Sequence, residues 1–494
     1  LEQGAFMMDK NSLPYLHSLQ QILASVTNTV EKNADATMRL DLAKRLLDLM
    51  IVQRALEPSL QKDCIAKLSN KLAEVEELLP LTKANEILLE ELRIISDPEA
   101  RVNFGRFLEL MANIQRELLI QNTVRSQVLC KSLLNIESDY CLKRSAAIEA
   151  ENNLTPTAGE ISSARNARKF NIEDMLNFIH ERFPEESDAM ITNTSFIAGG
   201  YSKFTMDISL TNTSSLPLNL ILRGDADGAF GGMSVVDEYS LIESVYASGV
   251  CAPKPFALDS SDKVFGSPFI LMEKMPGECL GHMYNIPDMH SVPLVTDIAE
   301  KLAAVHHIPL KKLGSDINGA NSRSSDMALK WITASEAGWK ATTLPSTAFT
   351  MAFEWLRCHA DLYDSSPRAL VHGDYGLNNL LIEGDRVTGI LDWEHAHIGN
   401  PAYDLGYFHP MAAALASWPS FLDAYANTGV HMPDEKQIDF SILLGATRVG
   451  VMLCQVMSAF TSDQETGIAA TTGIAGDYYD VAVLRISNAL EKVL

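Results

Sequence analysis

The stretch LVHGDYGLNNLLIEGDRVTGILDWEHAHIGNPAYDLGYF (370–408) decides how this chain is read. Asp374 follows an apolar ALV and precedes Asn379 by five residues. LLIEGDRVTGILDWE then reads as a short hairpin, with its turn at Gly384 and Asp385 and its second strand ending at Asp392. That return brings Asp392 close to Asn379. A carboxylate and an amide oxygen so placed suit a hard divalent cation, which prefers oxygen ligands. Asp374 is left to orient a hydroxyl group and accept its proton, as phosphoryl transfer requires. Turn-capping in an acidic loop explains any one of these acids alone. It does not explain the ordered set of HxDxxxxN, hairpin and DWE.

Working toward the N-terminus, NIEDMLNFIHERF (171–183) reads as a helix, followed by strand-like SFIAGGYSKFTMDISL (195–210) and PLNLILRGD (217–225), whose strand ends at Arg223. Gly199 and Gly200 form a tight turn between strands. Such a turn brings backbone N–H groups to a phosphate with no Cβ in the way, and a bare hairpin uses the same residues. VVDEYSLIESVYASGV (235–250) reads as a helix ending at Gly249, with Glu238 and Glu243 as candidate inward carboxylates. PFILMEKMPGE (268–278) reads as a buried strand running into a turn.

Farther out the texture changes. Residues 1–158 contain only Gly4 and Gly105, and segments 38–56 and 64–79 repeat apolar residues at helical steps. No proline interrupts 99–153, so one long helix or two nearly collinear helices are expected there. NNLTPTAGEISSARNARK (152–169) is polar and reads as a boundary. The net charge of −23 divides at the same place, with −3 up to residue 168 and −20 beyond it. The expected domains are therefore an all-helical part (7–153), a linker (154–169), a smaller sheet-bearing lobe (170–275) and a larger lobe (276–494). His17 is the only histidine of the helical part, whose expected role is docking or dimerisation, with a homodimer as the partner. Direct substrate contact is the alternative.

The 494 residues exceed one ordinary core. A pI near 4.9 argues against a nucleic-acid partner, which needs clustered Lys and Arg. No uninterrupted apolar run reaches the roughly 18 residues of a membrane span. The opening LEQGAFMM lacks a secretion signal's basic flank and apolar segment, and Leu1 to Phe6 read as a remnant ahead of a start at Met7 or Met8. Seven scattered cysteines form no CxxC pair, so reduced thiols and a cytoplasmic location are expected.

HGDYGLNNLL followed by ILDWE and GNPAYDL resembles the aminoglycoside phosphotransferase-like branch of the protein-kinase-like superfamily, and within it the kinase-like domains fused to acyl-CoA dehydrogenases. The resemblance covers about 170–494. It implies an α+β, two-lobed kinase-like fold, with a small antiparallel-sheet lobe and a mostly helical lobe, preceded by the all-α part. It also implies an ATP- and Mg2+-dependent kinase acting on a hydroxyl of a small molecule. Asp374 then resembles the catalytic aspartate, His372 its supporting histidine, and Asn379 and Asp392 the magnesium ligands. Glu394 matches the branch's second acid, as a metal ligand or a support, and Asp404 the structural aspartate that satisfies backbone N–H groups. Gly199, Gly200, Tyr201 and Ser202 would cover the nucleotide. Arg223 stands where a phosphate-pairing lysine is usual, with Glu238 as its helix partner, and the backbone from Glu273 to Met275 would meet the adenine. Arg448, the one cation in the apolar stretch 441–460, resembles an acceptor-side arginine; an ion pair with nearby acids is the plainer reading. His306, His307 and Trp393 are expected to be structural. Hydroxy acids or hydroxyacyl-CoA thioesters are the expected acceptors, with an aminoglycoside kinase and a catalytically idle scaffold as alternatives.

Overall fold

The computed structural model describes residues 56, 58–95, 104–151, 171–197, 203–225, 232–261, 264–281, 289–314, 317–461 and 478–494. After a helical stretch at 58–69 come helices α1 (Leu72–Leu78), α2 (Lys83–Ile95), α3 (Phe104–Gln121) and α4 (Val124–Glu151). Helix α5 (Ile172–Arg182) leads into strands β1 (Met190–Ile197), β2 (Lys203–Thr211) and β3 (Asn219–Asp225). Helix α6 (Val235–Ala247) precedes β4 (Pro255–Asp259) and β5 (Phe269–Glu273). Helices α7 (Val292–His306), α8 (Ser324–Thr342) and α9 (Thr347–Cys358) follow. Short strands β6 (Ala369–Val371), β7 (Leu380–Glu383), β8 (Arg386–Ile390) and β9 (His397–Gly399) come next. The chain closes with α10 (Ala402–Leu415), α11 (Trp418–Asn427), α12 (Glu435–Thr461) and α13 (Tyr478–Val493).

The chain divides into two compact units: one takes residues up to 161 with 329–360 and 443–494, the other 162–328 and 361–442. The sequence expectation, a helical part ending at 153 and a lobe running unbroken from 276, is corrected here. Buried polar side chains in α4 explain the difference. Glu137 accepts the N–H groups of Thr347 and Ala348, each at 2.9 Å, and the Tyr479 hydroxyl at 2.9 Å. Arg144 makes a two-point pair with Asp480, both contacts 2.7 Å, and lies against the Tyr140 and Tyr479 rings. Removed from water, these groups need their partners, and the partners lie on α9 and α13. Trp339 stacks on Phe349 at 3.9 Å in the same unit.

Helices α3 and α4 are not collinear. Asn122 adopts the left-handed conformation (φ 47°), and Thr123 and Ser126 cap the new helix reciprocally at 3.1 and 3.0 Å. The chain folds back, so that Gln115 Nε2 reaches the Cys130 carbonyl at 3.4 Å. The helix expected over 64–79 is likewise interrupted by a turn at Asn70 and Lys71. The expected linker, His17 and nearly all of the helix read at 38–56 lie outside the described residues.

In the other unit, an antiparallel sheet runs in the order β1-β2-β3-β5-β4. Two-residue alternation sorts its faces. Phe204, Met206, Ile208, Leu210, Leu220 and Leu222 join Met175 and Ile179 of α5 in one apolar cluster. The intervening positions of β3 carry Arg223 and Asp225 to the opposite face, and Asp225 is the cross-strand partner of Lys203. Strand β3 runs two residues beyond the expected end at Arg223. Strand β4, which the sequence reading did not pick out, completes the edge. Beyond the sheet, β7 and β8 form the expected hairpin, turning at Gly384 (φ 60°). Helix α12 contains a segment, Glu435–Gln455, long and apolar enough to span a bilayer, and 78% of its most apolar window is buried in the protein.

Candidate active site

The strand β6 delivers the chain into a loop whose backbone is gripped from below. Asp404, in the first turn of α10, is fully buried and accepts the N–H of His372 at 2.7 Å and of Gly373 at 2.9 Å. Burial pushes the Asp404 carboxyl up, but the His306 hydrogen bond at 3.1 Å and these N–H donors outweigh it and hold its pKa below the usual range. His306 is fixed in turn by the Tyr425 hydroxyl at 2.8 Å. Gly373 has φ 84°, and a Cβ there would stand 2.3 Å from the His395 carbonyl oxygen, so only glycine fits. The His372 ring donates through Nε2 to the Leu391 carbonyl at 2.9 Å and accepts the Asp374 N–H at Nδ1, 3.3 Å away. It joins the two strands of chemistry without facing solvent.

Asp374 is thus presented on a fixed loop. Its Oδ2 accepts Asn379 Nδ2 at 2.8 Å, and its Oδ1 accepts the Tyr407 hydroxyl. The hairpin brings the second carboxylate back as expected: the Leu391 N–H donates to the Asn379 carbonyl at 2.8 Å, and Asp392 follows in the left-handed conformation (φ 64°). Among the described residues no group of three His, Cys, Asp or Glu side chains is placed to hold a metal. The residues that fit the implied cation are Asn379 and Asp392. The amide nitrogen of Asn379 is turned to Asp374, which aims its oxygen elsewhere, and the donor set is oxygen only. That suits a hard divalent cation.

Across from this hairpin stand two cations. Arg223 donates through Nε to Glu238 at 3.3 Å and through Nη2 to Asp392. Burial works against its charge, yet Glu238 and Asp392 outweigh burial and push its pKa up. Burial raises the Glu238 carboxyl despite Arg223, and Glu238 also accepts the Trp393 N–H at 3.2 Å. Glu243 is exposed, so the inward carboxylate of α6 is Glu238 alone. The second cation, Lys203, is 5% exposed and was not anticipated. Its ammonium meets Asp225 at 2.7 Å, the Met233 carbonyl at 2.6 Å and Glu394 at 3.2 Å. Glu394 is therefore tied to a lysine, and Gly232 packs so closely that a Cβ there would lie 2.6 Å from Glu394 Oε2.

Other expected residues fall as follows. Gly199, Gly200, Tyr201 and Ser202 lie outside the described residues; β1 and β2, which they join, pair from Ile197 with Thr205. Glu273 ends β5 and donates its N–H to the Lys254 carbonyl at 2.9 Å, and Met275 lies against Gly389. Arg448 belongs to the helical unit, with its guanidinium 4.2 Å over the Trp331 ring. Trp393 is fully buried, His306 supports Asp404, and His307 is exposed. Tyr407 and Lys203 were missed. The signals were a tyrosine one helical turn after Asp404, and a lysine in a strand whose alternate positions are apolar.

Comparison with known proteins accords with this geometry. Residues 233–439 match the model of the phosphotransferase enzyme family. The chain shares its kinase-like α+β fold with a Ralstonia eutropha structure assigned as an aminoglycoside phosphotransferase, at a TM-score of 0.52 and 20% identity, over 66% of this chain and 99% of that one. Mouse acyl-CoA dehydrogenase family member 11 is 24% identical over 281 residues, covering 55% of this chain and 34% of that protein. Mouse acyl-CoA dehydrogenase family member 10 is 25% identical over 198 residues, covering 38% of this chain and 18% of that protein. The matched stretch thus spans about a third or less of these relatives.

Proposed function

We propose that this chain is a small-molecule kinase that, with Mg2+, moves the γ-phosphoryl group of ATP to a hydroxyl of a metabolite, a hydroxy acid or its hydroxyacyl-CoA thioester. The observation that carries this reading is the Asp374 carboxylate, held in one plane by Asn379 and Tyr407 beside the hairpin that returns Asp392. In the proposed reaction an acceptor hydroxyl donates to Asp374, its oxygen bonds to the γ-phosphorus, and the bond to the ADP oxygen breaks while Asp374 takes the proton. Mg2+, when bound, would offset the negative charge of the phosphates. Asn379 and Asp392 would hold it. Arg223 would exchange a carboxylate for phosphate, to which a guanidinium can make two parallel bonds. Because the Glu273 N–H is already bonded, Lys274 and Met275 are left for the adenine edge.

The acyl-CoA dehydrogenase relatives support an acyl-type acceptor. The −20 charge beyond residue 168 supports the second reading, a polycationic sugar acceptor. A transfer screen from labelled ATP across hydroxy acids, their CoA esters, sugars, amino alcohols and aminoglycosides separates them. Labelled hydroxy acid or CoA ester is the expected product. Label only on aminoglycosides selects the second reading, and no nucleotide binding at all defeats both.

A further inference from the structure

Asp374 does not meet its acceptor with an open carboxylate. One oxygen is taken by Asn379 Nδ2 at 2.8 Å, the other by the Tyr407 hydroxyl. Tyr407 is 8% exposed, whereas Asp374 is half-buried, so the phenol screens one carboxylate oxygen from solvent. The base for this contact is rigid. Tyr407 lies three residues after Asp404 on α10, on the same helix face, so one helix holds the backbone of residues 372–373 and the side chain of residue 374. Gly406, between them, packs so tightly on Ser441 and Ile442 that a Cβ would come within 2.4 Å of backbone. The helix has no room to slide.

We propose that Tyr407 is a positioning residue that fixes the Asp374 carboxylate and makes the site favour an alcohol acceptor over water. The inference rests on the kinase reading above. Each carboxylate oxygen has two acceptor positions, and one on each is already filled, leaving a narrow approach to Asp374. An acceptor held by its own contacts can be delivered along that approach, and water has no such contacts to orient it. Without the phenol hydroxyl, Oδ1 is open to solvent and the carboxylate plane is no longer fixed on that side.

The test uses the full chain as wild type, Tyr407→Phe and Asp374→Asn, with MgATP hydrolysis measured without acceptor, MgADP binding by calorimetry, and melting temperature. In Tyr407→Phe, hydrolysis should rise at least about threefold, with the KM for MgATP and the MgADP affinity within about twofold of wild type, since one hydroxyl guarding the base is lost and no nucleotide contact is. Unchanged or slower hydrolysis overturns the proposal, and if the melting temperature also falls, Tyr407 is a structural residue only. A wild type that binds MgADP and hydrolyses MgATP through Asp374, matched by Tyr407→Phe, overturns this inference alone. A wild type that binds no MgADP overturns the kinase reading with it.

Discussion

Arg223 and Asp392, which lie 169 residues apart in sequence, face each other as an ion pair. The guanidinium also holds Glu238, so one side chain of the sheet organises both the helix α6 and the end of the β7–β8 hairpin. Arg223→Met strands a fully buried Glu238 and a partly buried Asp392. Removing one partner of a buried pair costs about 3–5 kcal/mol, and uptake of a proton by Glu238 keeps this case near the lower figure. Denaturant unfolding should show a loss of about 3 kcal/mol for Met and a smaller one for Arg223→Lys, which keeps the charge without the fork. Equal stability of all three proteins would deny Arg223 this organising part.

The helical unit is tied together in the same way. Arg144→Met leaves Asp480 buried, where burial already raises its carboxyl despite the arginine. The expected loss is about 3 kcal/mol in chemical denaturation. Truncation of residues 7–160 removes Glu137 and Arg144 together, uncapping α9 and stranding Asp480. Such a protein should be poorly soluble, and a fully soluble, fully active truncated monomer would contradict this account of the unit.

The proximity of Asp374, Asn379 and Asp392 was legible because their contacts are local. Asn379 and Asp392 flank a hairpin of eleven residues (380–390) and Asp374 lies five residues before Asn379, so spacing and turn residues were enough to bring them together. The pairing of Arg223 with Glu238 came from the family resemblance, since helix periodicity alone left Glu238 and Glu243 as alternatives. Lys203 was not legible, because its partner Glu394 comes from a distant stretch, and Tyr407 was not, because only the packing of α10 turns it onto Asp374, 33 residues before it. The break between α3 and α4 escaped because neither proline nor glycine marks it; a left-handed Asn122 and a Thr–Ser cap do that work. The extent of the helical unit escaped for the same reason as Lys203. Nothing near Glu137 in sequence says that Thr347 and Tyr479 will satisfy it.

Glu186 supplies a pH-dependent tie within the sheet-bearing unit. Its carboxylate accepts the N–H groups of Ser214 at 2.7 Å and Leu216 at 2.8 Å, along with that of Ser215. Burial would raise its pKa, but these donors outweigh it and lower it from 4.5 to about 2. The folded value lies below the unfolded one, so the stability Glu186 adds is complete above about 4.5 and is lost as the pH falls toward about 2. Glu186→Gln should therefore melt lower than wild type at neutral pH, and the gap should shrink across that window. A gap independent of pH would show that the carboxylate's charge is not what ties the turn.

In the proposed reaction Asp374 is the base of a phosphoryl-transfer site built on Asn379 and Asp392. The most direct test of that role is magnesium-dependent ATP turnover by Asp374→Asn beside wild type, with MgADP binding followed by calorimetry on the same samples. Turnover should fall by at least about 10²-fold while MgADP affinity and folding stay close to wild type, as loss of a positioned base implies. Turnover in the mutant comparable to wild type would contradict the claim.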